Sequence, residues 1–277
     1  VKKTKPFRAG FFQFDIKRGG VRRNLGTVLG AIQKLAADKV RLTVLPEMWT
    51  SGFVAADVER LVDESEHAVQ ELRRAARRHR MVITGSSYER AGRDIFNTAF
   101  VIDADGEIVG SYRKIHLFSP GGEHLNFTEG KTPLVVQTEV GKLGMSICYD
   151  LRFPELYRAL SEAGAEVVVV PAQWPVERLN HWQTLLRARA IENQIFLIGC
   201  NRTGTDKRTP TTTLKFPGAS VILDPWGREL AAAGGRTGAH WAEVDLSQLA
   251  QVRKQIPVWV DRRPAAYKAT PKSKLLV

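Results

Sequence analysis

The sequence predicts a single α/β domain, and three observations carry that reading. Short apolar runs alternate along the chain with stretches of helical period. The 277 residues are 43% hydrophobic and 25% charged, a globular balance that argues against disordered, collagenous or disulfide-framework chains. No Gly/Ser- or Pro-rich linker divides them, and single domains reach about 250 residues. A folded chain of this mass buries about three-quarters of the surface its unfolded form exposes, so a large core needs no staples.

The elements follow in order. Residues 7–14 read as a strand. Residues 21–37 read as an amphipathic helix, with Val21, Leu25, Val28, Ile32 and Leu35 on one side. Residues 42–45 form a buried strand stopped by Pro46. Residues 66–80 are helical and 81–86 are the next strand. Strands at 95–102 and 107–112 flank Asp103-Ala104-Asp105-Gly106, whose Asp-Gly step signals a hairpin. Further strands fall at 134–137 and 143–147. Pro154 sits where a first helical position belongs, opening a helix through Glu162. A buried strand at 167–170, a helix at 181–194, strands at 195–200 and 220–223, and a short helix at 246–254 complete the pattern. The domain is expected over residues 6–256. Residues 257–277, with Pro257, Pro264 and Pro271, are expected to be an extended tail over a surface or a partner subunit. A faint echo links LTVLP, ending at Pro46, to VVVVP, ending at Pro171. A second links VIDADG, ending at Gly106, to ILDPWG, ending at Gly227. Two similar halves or coincidence would each explain it.

Charge and cysteine content narrow the function classes. The net charge is +12, which raises nucleic-acid binding as a rival. The densest basic stretch, Arg73, Arg74, Arg77, Arg78 and Arg80, lies at helical spacing and reads as a solvated helix face. No nucleic-acid motif accompanies it. The longest clean apolar run is far too short to cross a membrane, and the basic opening VKKTKPFRAG lacks a signal peptide's apolar stretch. Cys148 and Cys200 read as free thiols in a reducing, cytoplasmic setting.

Three polar residues share one context. Glu47 follows LTVLP, Lys114 follows EIVGSYR, and Cys148 follows KLGMSI. Ligands of α/β sheets gather outside the carboxyl ends of strands, so a carboxylate, an ammonium and a thiol at three strand exits could converge. Taken singly, the thiol could be a buried small hydrophobe and the charges solvated loop groups. Cys148 sits at a strand-to-helix turn, which can project a nucleophile and expose the next backbone N–H groups. A helix N-terminus and a nearby cation are expected to lower its thiol pKa. Cys200 has an apolar strand behind it and reads as structural.

The words around these residues resemble the nitrilase superfamily of carbon–nitrogen hydrolases. LPEMWTSGF is similar to the family's glutamate motif at Glu47, YRKIHLF to its lysine motif at Lys114, and ICYDLRFPE to its cysteine motif at Cys148, in the family order. The resemblance implies a four-layer α-β-β-α sandwich, usually dimeric or larger, with no metal and no organic cofactor. It implies that Glu47 is the general base, Cys148 the nucleophile that forms a thioester, and Lys114 with the Tyr149 backbone N–H the oxyanion stabilisers. Glu123 in GGEHLNF matches a further family glutamate that orients the lysine. Its bland alternative is a loop carboxylate. A Cys–His pair using His116, or a zinc site from Cys148, His116 and His124, are the rivals.

Within the superfamily the text resembles ω-amidases acting on 2-oxoglutaramate, across CYDLRFPE, AQWPVERLNHWQTLLRARAIENQ, GCNRTG, DPWGREL and IPVWVDRRP. Amidases of deaminated glutathione and carbamoylases share several of these phrases and are the alternative. A basic interaction protein on a hydrolase scaffold is the non-enzyme alternative. The substrate's remote carboxylate calls for a cation. Arg152 is one candidate, with a structural ion pair as its other role, and Trp174 is a candidate wall of the pocket. His181, Trp182, Arg187 and Arg189 read as structural. The expected partners are a small-molecule amide and further copies of the chain, with no nucleic acid and no membrane.

Overall fold

The structure, a computed structural model, describes residues 5–54, 57–207 and 211–267. The chain runs β1 (Phe7–Gln13), α1 (Val21–Ala37), β2 (Val40–Val44), α2 (Val58–His79), β3 (Val82–Ala91), β4 (Asp94–Ile102) and β5 (Ile108–Arg113). It continues through β6 (Val135–Thr138), β7 (Gly141–Met145), α3 (Pro154–Glu162), β8 (Val167–Ala172), α4 (Leu179–Asn193) and β9 (Phe196–Asn201). Then come β10 (Thr203–Lys207), β11 (Thr213–Pro217), β12 (Val221–Leu223), β13 (Glu229–Ala232), β14 (Gly238–Val244), α5 (Ser247–Gln255) and α6 (Val258–Asp261).

Two six-stranded sheets, in the orders β14-β1-β2-β3-β4-β5 and β13-β12-β9-β8-β7-β6, pack face to face. Phe11, Val44 and Val101 of the first sheet share one apolar cluster with Met145, Val168 and Leu197 of the second. Helices α1 and α2 cover the first sheet with Val28, Ile32, Leu61 and Leu72. Helices α3 and α4 pack Leu156, Leu160, Trp182 and Leu186 onto the second. This is the expected four-layer sandwich. Strand β8, VVVVPA, is buried along its whole length, as a central parallel strand must be. A Cβ on Gly199 of β9 would come within 2.7 Å of Leu186, so glycine lets α4 lie close.

The sequence echo has a structural basis. In the first sheet β1, β2 and β3 run parallel, then β4 and β5 alternate. In the second, β7, β8 and β9 run parallel, then β12 and β13 alternate. LTVLP and VVVVP contain corresponding parallel strands, and the two Asp-to-Gly turns join corresponding hairpins. Gly106 takes φ 84° and Gly227 φ 74°, the left-handed conformation glycine adopts freely.

Helices α1 and α3 begin and end where the sequence places them. Helix α2 starts at Val58, earlier than expected, because Leu61, Val62, Ser65 and Ala68 extend its buried stripe beneath an acidic outer face. Strands β10, β11, β13 and β14 were not expected. Each is short, polar or half-exposed, and in β14 just Ala242 and Val244 are buried. The tail expected to be extended instead turns at α6 and at a 3₁₀ turn, Pro264–Tyr267, with Arg262 paired to Glu162 of α3. Residues 268–277 lie outside the described residues. Among the described residues no helix is long and apolar enough to cross a membrane.

Candidate active site

The parallel strands deliver their carboxyl ends to one rim of the sandwich. Glu47 lies three residues beyond β2. Its loop is stitched to β3 by Leu45 N to Thr84 O (2.7 Å), Met48 N to Ser86 Oγ (2.9 Å) and Trp49 N to Ser86 O (3.0 Å). A side chain on Gly85 would meet Leu45 Cβ at 2.7 Å, so the loop needs glycine beneath it. Lys114 follows β5 directly, its N–H bonded to Asn97 O at 2.9 Å. From the opposite sheet, β7 leads to Cys148 and β8 leads to Gln173 and Trp174.

Cys148 opens a 3₁₀ turn, Cys148–Arg152, and takes φ 47°. A non-glycine residue there costs about 1–2 kcal/mol, so the surroundings must impose it. Buried Asp150 does much of this. Its Oδ2 accepts from Ile147 N (2.8 Å) and Tyr112 Oη (2.7 Å), and its Oδ1 accepts from His116 N (3.0 Å) and pairs with His116 Nδ1 (2.7 Å). Arg189, read as structural, donates twice to Leu151 O, at 3.2 and 3.0 Å. The Tyr149 N–H is the first of the turn after the thiol, where helical geometry provides no acceptor within the turn.

These residues meet at a cavity of about 540 Å³, lined by Glu47, Lys114, Glu123, Cys148, Tyr149, Arg152 and Trp174 among others. The residues given a catalytic, supporting or substrate-binding role from the family resemblance thus reach one space. The Lys114 ammonium, 1% exposed, donates to Glu47 Oε1 at 2.8 Å and Glu123 Oε2 at 2.7 Å. Glu123 also accepts from Phe118 N at 2.7 Å, so it is no solvated loop carboxylate. Arg152 lays its guanidinium 4.8 Å from the Trp174 ring and approaches His181 Nδ1 at 3.3 Å, with no carboxylate partner among the described residues. Trp174 is buried, with Nε1 bonded to Arg178 O at 2.7 Å.

Two amides that sequence reasoning missed complete the cluster. Asn97 of β4 donates Nδ2 to Glu47 Oε1 (2.9 Å) and Glu123 Oε1 (3.0 Å), holding two carboxylates with one group. Gln173 donates its backbone N–H to Glu47 Oε2 and its side-chain amide to Glu47 O, both at 2.9 Å, tying the two sheets together at the acid. Behind it, buried Arg202 donates to Gln173 Oε1 at 3.0 Å and to Ile16 O at 2.9 Å.

Electrostatics set the resting protonation. Burial lifts the Glu47 carboxyl above the usual carboxylate range. Lys114 opposes this and the Glu123 charge adds to it. Burial also opposes charge on Lys114, but the flanking carboxylates prevail and hold it protonated well above the usual lysine range. The Cys148 thiol is pushed up by burial and by the Glu47 charge, and Lys114 only partly compensates. The expected lowering of its pKa is therefore overturned, because burial and a facing carboxylate outweigh the cation and the turn. The resting sulfur carries its proton, beside an acceptor able to remove it. Cys200 is fully buried against Phe12 O. His116 stacks on Phe153 at 3.6 Å and does not line the cavity, and His124 is exposed. Among the described residues no group of His, Cys, Asp and Glu is arranged to hold a metal ion.

Comparison with known proteins agrees with this architecture. The profile of the carbon-nitrogen hydrolase family matches residues 8–254. A 2-oxoglutaramate amidase of Bacillus subtilis (strain 168) is 40% identical over 257 residues, covering 92% of this chain and 97% of that protein. The crystal structure of a carbon-nitrogen hydrolase from Helicobacter pylori G27 superposes with a TM-score of 0.89 at 27% identity, covering 95% of this chain and 97% of that one. An amidase from Nesterenkonia sp. AN1, a mutant with the acetamide moiety of fluoroacetamide covalently added at its active site cysteine, superposes at 0.82. It is 26% identical and covers 95% of both chains. Two sheets between helix layers, a buried acid–ammonium–thiol cluster and a match over nearly the whole chain lead to one statement: this chain belongs to the carbon–nitrogen hydrolase family of the nitrilase superfamily, as an ω-amidase-like hydrolase of non-peptide C–N bonds.

Proposed function

We propose that the chain is a thiol amidase that hydrolyses the ω-amide of a small 2-oxo acid such as 2-oxoglutaramate, with Glu47, Lys114 and Cys148 as its catalytic residues. The observation that carries this is the buried ammonium shared by two carboxylates, on one cavity with the Cys148 thiol. Glu47 takes the proton from Sγ as the sulfur attacks the amide carbon. The carbonyl oxygen becomes an anion, stabilised by the Lys114 ammonium and the Tyr149 N–H. The tetrahedral intermediate collapses, Glu47 returns the proton to the nitrogen, and ammonia leaves a thioester on Cys148. Glu47 then takes a proton from water, which attacks the thioester. The acid departs and the sulfur recovers its proton. The raised Glu47 pKa makes the carboxylate a stronger acceptor for the thiol proton. Arg152, carried on the Trp174 ring, receives the substrate carboxylate.

Two further expectations belong to the same proposal. The enzyme works in the cytoplasm, where both thiols stay reduced, and it functions as a homodimer or larger homo-oligomer. Exposed Ile256, Val260 and Tyr267 near the end of the described chain support a self-contact, and sedimentation velocity tests it. The chemistry is tested by ammonia release from 2-oxoglutaramate, 2-oxosuccinamate, glutamine, a carbamoyl amine and a nitrile. Turnover of the two oxo-acid amides, lost in Cys148→Ala, is expected. Turnover of another panel member with neither oxo-acid amide consumed overturns the substrate class and leaves the thiol chemistry standing.

A further inference from the structure

We infer that Arg178 is a specificity-determining residue, pairing with Arg152 to select a 2-oxo over a 2-amino group beside the substrate carboxylate. This rests on the proposed reading of the site as one for amides of 2-oxo acids. Several arginines away from the cavity answer carboxylates: Arg41 with Glu139, Arg73 with Glu107, Arg113 with Glu89, Arg187 with Glu229. Arg152 and Arg178, both cavity-lining, pair with no carboxylate among the described residues.

Aromatic rings hold them instead. Trp174 supports the Arg152 guanidinium on its face at 4.8 Å and fixes the Arg178 backbone through its indole N–H at 2.7 Å. The Arg178 guanidinium lies 5.5 Å from the Phe118 ring centroid, and Phe118 N is anchored to Glu123 at 2.7 Å. An aromatic face positions a guanidinium without neutralising it or occupying its N–H donors. The wall therefore presents two placed cations whose counter-charge arrives with the ligand. A single carboxylate satisfies one of them with a bidentate pair. The second finds an acceptor in a C2 carbonyl oxygen and the nearer carboxylate oxygen. A C2 ammonium offers donors alone and brings a third positive charge into the group, so its binding is disfavoured by about a hundredfold or more.

The test uses three amides that share the ω-amide and the carboxylate and differ at C2: 2-oxoglutaramate, glutaramate and glutamine. Wild-type kcat/KM is expected to fall in that order. Arg178→Gln and Arg178→Ala should raise KM for 2-oxoglutaramate about ten- to a hundredfold with little change in kcat. Glutaramate should change only a few-fold and glutamine should stay level or improve, so the oxo-to-amino preference falls at least tenfold. Arg178→Lys keeps the charge but loses the planar fork, and should retain part of the preference. An equal loss on all three amides, or an unchanged preference in every variant, overturns the role of Arg178. Wild type that shows the expected order with insensitive variants defeats this inference alone, whereas wild type that prefers glutamine defeats both it and the substrate class.

Discussion

Replacing Glu123 by Gln tests whether the buried charges set the pH range of catalysis. The two N–H bonds of the Asn97 amide diverge by about 120°, which puts its two acceptor oxygens, on Glu47 and Glu123, about 5 Å apart. At an effective dielectric of about 20, unit charges at that separation repel by about 3 kcal/mol, and spreading each charge over two oxygens lowers this to about 1–3 kcal/mol. That is about one to two pKa units on Glu47. In the proposed mechanism Glu47 accepts a proton only when ionised, so activity is expected to rise with pH through its raised pKa. Removing the Glu123 charge lowers that pKa and moves the acid limb to lower pH by about one to two units. Gln also turns an NH₂ towards one of three donors, Lys114 Nζ, Phe118 N or Asn97 Nδ2, so kcat should fall by about a hundredfold as the ammonium loses its placement. The assay is the pH profile of kcat/KM, supported by the pH dependence of Cys148 alkylation by iodoacetamide, which reports the base without requiring turnover. An acid limb that stays in place or moves to higher pH refutes the coupling.

Other outcomes follow from the same contacts. Lys114→Ala leaves two buried carboxylates without their cation and should cost about 3–5 kcal/mol in urea denaturation. Burial without the cation raises the folded Glu47 pKa further, a contribution to stability that is present at low pH and lost as pH rises, so the deficit should shrink on acidification. In the wild type, Lys114 has a raised folded pKa, so its stabilisation is full below the unfolded lysine pKa of about 10.4 and declines only as pH rises beyond it. Asp150→Asn faces donors on both oxygens and should destabilise the fold by about 2–4 kcal/mol and slow Cys148 alkylation, read by thermal melts and mass spectrometry. Cys200→Ala should keep turnover while Cys148→Ala abolishes it, and equal loss in both would contradict the separation of roles.

Much of the fold was legible because its central elements obey simple periods. The short β-branched run VVVVPA reads as a strand buried on both faces, and the apolar stripe from Val21 to Leu35 reads as an amphipathic helix. Edge strands such as Glu229–Ala232 lack such a signal, since one face meets water and pairing alone defines them. The site divides in the same way. Glu47, Lys114 and Cys148 stand in distinctive words after apolar strands. Asn97 and Gln173 are neutral amides whose importance comes from what lies across the interface. The available hints were an amide within the apolar run DIFNTAFVI and another directly after VVVVPA, each too polar for its setting unless it serves a buried charge. The raised pKa of the thiol was illegible for a related reason, since it depends on a carboxylate about a hundred residues distant.

The antiparallel ladder between β1 and β14 has a biosynthetic consequence. It pairs Phe7 with Val244 and Gln13 with Gly238. On the ribosome β1 emerges well before its lateral neighbour β14, because more than two hundred residues separate them. During that interval one flank of the sheet that carries Glu47 stays open to foreign strands. Premature termination before residue 238 would leave it permanently uncapped, so such fragments should accumulate as insoluble material even though every residue assigned to the chemistry has already been synthesised.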